Sequence, residues 1–227
     1  MPLRPNQVRQ WLTRPWAPYI FPFALFLLLT EPARFFPSLV PLLYTIKTIS
    51  VGALIWYWRH SYRRDLSPKL SPGDIGTAVI CGLIVLIIWI VPENILYQFA
   101  PGHQFNPYAL SRTPAGAYGL IFIRLSGSAV IVPIMEELFW RAYLMRYLID
   151  PDFHSVPMGT FTWLSFTGVA VLFGLEHHRI IVGIVAGLFY GGLLIRRKNL
   201  KAVILAHGVT NFGLGIYVLL SSRWAFW

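Results

Sequence analysis

Charge is scarce in this chain: only 12% of its 227 residues are Asp, Glu, Lys or Arg, against about 25% in an average soluble domain. That deficit excludes a globule with an ordinary water-facing surface. Acid is scarcer than base, 9 residues against 19, for a formal net charge of +10. In a soluble protein such an excess would point to nucleic acid. Here the basic residues cluster beside apolar runs, so the surplus reads as positive-inside topology and attraction to anionic lipid, and no nucleic-acid partner is expected. The single cysteine, Cys81, excludes an internal disulfide. Period-two alternation is missing from the apolar runs, which excludes a transmembrane β-barrel. There is no internal repeat and no HExxH zinc signature.

What remains is close to oil. The chain is 56% hydrophobic, with a mean hydropathy of +0.59. Only helices and closed barrels satisfy their backbone in lipid, so an all-α polytopic bundle of about seven spans is expected, as one membrane-embedded domain over residues 1–227. Arg4, Arg9 and Arg14 precede a first apolar segment, Trp16–Thr30. It resembles a signal peptide, but Thr30-Glu31-Pro32-Ala33 is a poor cleavage site, so it reads as a span. A second span is expected over Phe35–Trp58, ending in an interfacial belt of Trp56, Tyr57 and Trp58, and a third over Gly76–Val91, stopped by Pro92. Residues 92–115 read as an irregular external loop. A long helix follows over Ala117–Leu148, bent at Pro133, then spans over Thr160–His177, Ile180–Ile195 and Leu200–Leu220. The basic loops Arg59–Asp74 and Arg196–Lys201 belong in the cytoplasm, which puts the N-terminus there too, in the plasma (inner) membrane of a prokaryote.

Against this background a few ionisable residues stand out, because each costs roughly 2.5–3.5 kcal/mol at the centre of a spanning helix. Glu136 and Glu137 are adjacent, with Arg141 four residues on. That spacing puts Glu137 and Arg141 on one helix face as an ion pair and leaves Glu136, about 100° round, free for other work. His177 ends a later helix, and His207 and Asn211 share a face of the last one. At about 1.5 Å rise per residue, Glu136 and His177 reach similar depths, whereas His207 falls short unless its helix tilts or its loop is recessed. A carboxylate beside an imidazole can hold and deprotonate water. A second imidazole with an amide can stabilise an oxyanion. Together they suit hydrolysis of an amide bond. Lys47, mid-span in the second segment, calls for a buried partner or a functional contact, and an outer-leaflet snorkel accounts for Arg124. Gly183, Gly187, Gly191 and Gly192 read as close helix packing.

Glu136-Glu137-x-x-x-Arg141, Phe173-x-x-x-His177 and His207-x-x-x-Asn211, in that order on successive apolar helices, resemble the three motifs of the CPBP family. These are intramembrane proteases related to the type II CAAX prenyl endopeptidases. The similar stretch covers about residues 117–216 as a protease-like core, and residues 1–115 carry no recognisable motif. The resemblance implies that Glu136 and His177 activate the water, that Glu137 is the structural partner of Arg141, and that His207 and Asn211 form the oxyanion site. It implies a membrane-associated protein or peptide substrate and no cofactor. Ala142 departs from the glycine that often follows the arginine.

Three other readings compete, one of them a non-catalytic membrane scaffold that keeps the family fold. Glu136, His177 and His207 make a two-histidine, one-carboxylate set of the kind that binds catalytic zinc. The same groups could form the relay of a proton-coupled transporter, although all three polar sites fall in one half of the chain with no matching half.

Overall fold

The computed structural model describes residues 11–36, 39–96 and 105–227, and all regular structure among them is helical. Seven helices carry the architecture. They are α1 (Ala17–Thr30), α2 (Val40–Tyr57), α3 (Pro72–Leu96), α4 (Pro114–Tyr147), α5 (Trp163–Leu175), α6 (Ile180–Arg197) and α7 (Leu200–Ser221). Five of them, α2, α3, α4, α6 and α7, are long and apolar enough to cross a membrane; α1 and α5 are shorter apolar helices. The chain is an integral membrane protein.

Side-chain caps start three of these helices. Thr113 accepts from Gly116 N, Thr162 from Ser165 N and Asn199 from Lys201 N, which starts α4, α5 and α7 where the first backbone donors would be orphaned. Several boundaries differ from expectation. Pro92 does not stop α3, which continues through it to Leu96. The second span begins at Val40, after a separate short helix over Pro32–Phe35. The expected 92–115 loop contains a short helix, Pro107–Leu110, and its middle, like Arg4 and Arg9, falls outside the described residues. Trp58 leaves the aromatic belt: Trp56 and Tyr57 stay exposed, but Trp58 is buried and stacks on Phe21 at 6.0 Å.

Small residues let the helices touch, as packing in lipid requires. A Cβ placed on Gly187 of α6 would lie 2.9 Å from Ala170 Cα of α5. On Gly82 of α3 it would meet the Ala206 carbonyl and Val209 of α7. The four-residue glycine pattern works through Gly183, Gly187 and Gly191; a Cβ on Gly192 would meet nothing.

One end of the bundle is latched by carboxylates. Asp65 accepts from Tyr19 Oη at 2.7 Å and Arg146 Nη2 at 2.9 Å. Asp74 accepts from Arg197 Nε at 2.6 Å, and Asn199 donates to the Lys69 carbonyl at 3.1 Å. The two basic loops expected on the same side of the membrane therefore meet. The second latch also pulls the start of α7 inward: Asn199 is 4% exposed and Leu200 fully buried.

Candidate active site

The geometry starts from Pro133. Proline has no N–H to return to the carbonyl four residues back, and its ring crowds that carbonyl. Here α4 answers with a π-helical turn over Gly127–Ile131. Two carbonyls of this turn face α7. Ala129 O would sit 2.9 Å from a Cβ on Gly208, and Ser128 O accepts from Asn211 Nδ2 at 2.8 Å. The helix then carries Glu136 and Glu137 inward, and a second π-helical turn, Leu138–Leu144, surrounds Arg141.

Glu137 is the hub. It is fully buried, as is Arg141. Arg141 Nη1 donates to Glu137 Oε1 at 3.2 Å, and Nε stands 3.1 Å from Oε2. Arg141 Nη2 reaches the Gly187 carbonyl at 3.4 Å, and its guanidinium lies 4.5 Å from the Phe173 ring centroid. The close approach of α5 and α6 at Gly187 thus also delivers a carbonyl to the buried arginine. On its other side, Glu137 Oε1 lies 2.8 Å from His207 Nδ1. The Glu137 carboxylate accepts from Arg141, and His207 likewise donates to it from Nδ1. Its Nε2 is then turned to Glu136, 3.9 Å from Oε2. Glu136 is 4% exposed, and its buried Oε2 accepts no hydrogen bond from the protein.

His207 therefore joins the carboxylates directly. The depth shortfall read from residue counts disappears because the loop before α7 is recessed. His177 is held differently. Its Nδ1 donates to the Phe173 carbonyl at 2.7 Å, leaving Nε2 as the acceptor. Its ring packs 4.7 Å from Phe173 and 5.3 Å from Trp89. Phe173 in turn contacts the His207 ring at 6.0 Å, so His177 borders the cluster through an aromatic spacer. Among the described residues no three His, Cys, Asp or Glu side chains converge as a metal would require. Phe173 packs against both imidazoles of the zinc set considered from sequence.

Three further residues shape the site without a sequence signal that marked them. Tyr190 stacks on His207 at 4.9 Å, and its hydroxyl donates to Thr210 Oγ1, which donates to the Gly82 carbonyl. Trp140 Nε1 donates to Glu176 at 3.2 Å. An aromatic in a glycine-dotted helix has no spacing that sets it apart from packing.

Residues 117–213 match the family model described as type II CAAX prenyl endopeptidase, Rce1-like. The match covers 97 of the 227 residues (117 to 213) and is a similarity to that family. The matched stretch holds the cluster from Glu136 to Asn211. It supports a CAAX-type membrane protease in general terms. No curated protein and no solved structure matches the chain.

Proposed function

We propose that the chain is an intramembrane endopeptidase that hydrolyses peptide bonds of a membrane-associated protein or peptide. Glu136 and His177 activate a water, and His207 with Asn211 stabilises the oxyanion. The observation that carries this reading is the buried, unpartnered Glu136 Oε2 beside a His207 ring oriented by the Glu137–Arg141 pair.

In this scheme Glu136 takes a proton from the water while the oxygen attacks the substrate carbonyl. The free Nε2 of His177 accepts the water's other hydrogen and orients it. Negative charge collects on the carbonyl oxygen. The scheme has His207 enter the step with a second proton, taken from bulk water, on Nε2: Nδ1–H stays on Glu137, and Nε2–H donates to the oxyanion. Asn211 spends one amide hydrogen on Ser128 and keeps the second for the same oxygen. Collapse of the intermediate breaks the C–N bond, and the proton held by Glu136 passes to the leaving amine. The reading places the Arg59–Lys69 end in the cytoplasm of a prokaryotic cell, with the substrate in the inner membrane.

The test is Glu136→Gln, which keeps the shape and removes the base. Cleavage should vanish while the protein stays inserted and folded, and uncut substrates should accumulate in the membrane peptidome of cells carrying the variant. Full cleavage by the variant would remove the reading.

A further inference from the structure

The outer surface of the bundle carries a groove of about 550 Å³ between α3, α4 and α7, within the usual size of a small-molecule site. One side of it is a single stripe of α7: Lys201, Ile204, Leu205, Gly208, Val209 and Phe212, at the three- and four-residue steps of one helix face. Val130 and Ile134 of α4 and Leu83 of α3 line the rest. The neighbours press closest where α7 has no side chain. A Cβ on Gly208 would lie 2.9 Å from the Ala129 carbonyl, and one on Gly213 would lie 2.6 Å from Leu86 Cδ2. Leu83, Val130 and Phe212 are exposed.

Length and charge say what fits it. From Lys201 to Phe212 the stripe is about 17 Å long, at about 1.5 Å rise per residue. One leaflet of hydrocarbon is about 15 Å deep, whereas a helix crossing both leaflets covers about 30 Å. The groove therefore matches an acyl chain in one leaflet and is about half the length a second transmembrane helix would cover. Its chemistry changes at one end only. Lys201, half-buried in the first turn of α7, is the charged residue of the described lining. The positive end of the 22-residue helix adds to its field. Arg196 and Lys198 stand exposed at the same, latched end. A second groove, between α3 and α6, repeats the arrangement, with Arg196 as its charged lining residue at that end.

We infer that the α7 groove is a binding site for an anionic phospholipid, with one acyl chain along Ile204–Phe212 and the phosphate against the Lys201 ammonium. A charge-assisted bond from lysine to a phosphate oxygen is the strong contact of the pair, and apolar packing supplies the rest. A zwitterionic lipid is second best, because its own cation competes with Lys201 for the phosphate. The acyl chain bridges α7 and the π-helical turn of α4, since Val130 belongs to that turn. The same turn receives Asn211 through the Ser128 carbonyl. The site stands whether or not the chain is a peptidase.

Photolabelling of the full-length protein in phosphatidylcholine vesicles reads the site directly. Two trace probes carry the same photoreactive acyl chain, one on phosphatidylglycerol, which is anionic, and one on phosphatidylcholine, which is not. Labelled peptides are mapped by mass spectrometry. The groove segments, residues 201–213 and 129–134, should take about fivefold more label from the anionic probe, the gain that one cation near a membrane surface gives. Lys201→Gln should bring that ratio to about one. Lys198→Gln, which removes a neighbouring cation outside the groove lining, should leave it unchanged. Equal labelling of the groove by both probes overturns the proposal, and needs no variant to fold. A ratio that survives Lys201→Gln overturns it as well. So does an equal fall in Lys198→Gln, because the attraction would then belong to the basic surface as a whole.

Discussion

Glu137 Oε1 is shared: Arg141 Nη1 at 3.2 Å on one side and His207 Nδ1 at 2.8 Å on the other. One buried oxygen thereby links α4 to α7 and fixes which nitrogen of His207 faces Glu136. The pair with Arg141 makes the fixing possible, because it holds the Glu137 carboxylate in place between the two helices.

Removing one partner of this pair should be severe. Arg141→Met leaves Glu137 as an uncompensated buried charge, with an expected cost of about 3–5 kcal/mol. Chemical unfolding in detergent checks the loss, and a change within 0.5 kcal/mol of wild type, about the range of a neutral surface substitution, would contradict the hub.

Tyr190→Phe removes the hydroxyl that ties the His207 stacking partner to Thr210. Interhelical hydrogen bonds in membranes average about 0.6 kcal/mol, so a small drop in stability is expected with the protein intact. His207 should lose some of its orientation, lowering kcat more than KM.

Two glycines of one helix make an internal control. Gly187→Val pushes a side chain into Ala170 and moves the carbonyl that Arg141 uses; loss of the folded form on size-exclusion chromatography is expected. Gly192→Ala, where a Cβ meets nothing within 4 Å, should behave as wild type.

Asn211→Ala should lower kcat by about 10²–10³-fold if its free amide hydrogen serves the oxyanion. Its bond to the Ser128 carbonyl contributes stability as well, so the thermal midpoint separates the two roles. A fall in stability with kcat unchanged would leave Asn211 a brace only.

If Glu136 and His177 activate the water, as proposed, cleavage survives prolonged treatment with a strong zinc chelator. Loss of activity that added zinc restores would point instead to a metal enzyme, and elemental analysis of the purified protein would show the ion.

Much of this was legible in the sequence because the signals are local. Hydropathy locates spans wherever the backbone must satisfy itself in lipid, and four-residue spacing puts Glu137 against Arg141 whatever the rest of the chain does. The carboxylates stood out because charge is so rare among their neighbours. Pro92 misled because it lies four residues from the helix end, where few backbone bonds are left to lose.

Depth and partnership were decided by the tertiary structure. Counting residues from a loop assumes the loop lies at the surface, but Asn199 is drawn to Lys69 and Leu200 is buried. That recess brings His207 to Glu136, while Phe173 keeps His177 at the border. The same holds for Lys47, whose contacts with Thr30, Phe26 and Tyr44 depend on how α1 and α2 pack. Sequence determines which side chains are too polar for lipid; the crossing of helices determines which of them share a charge.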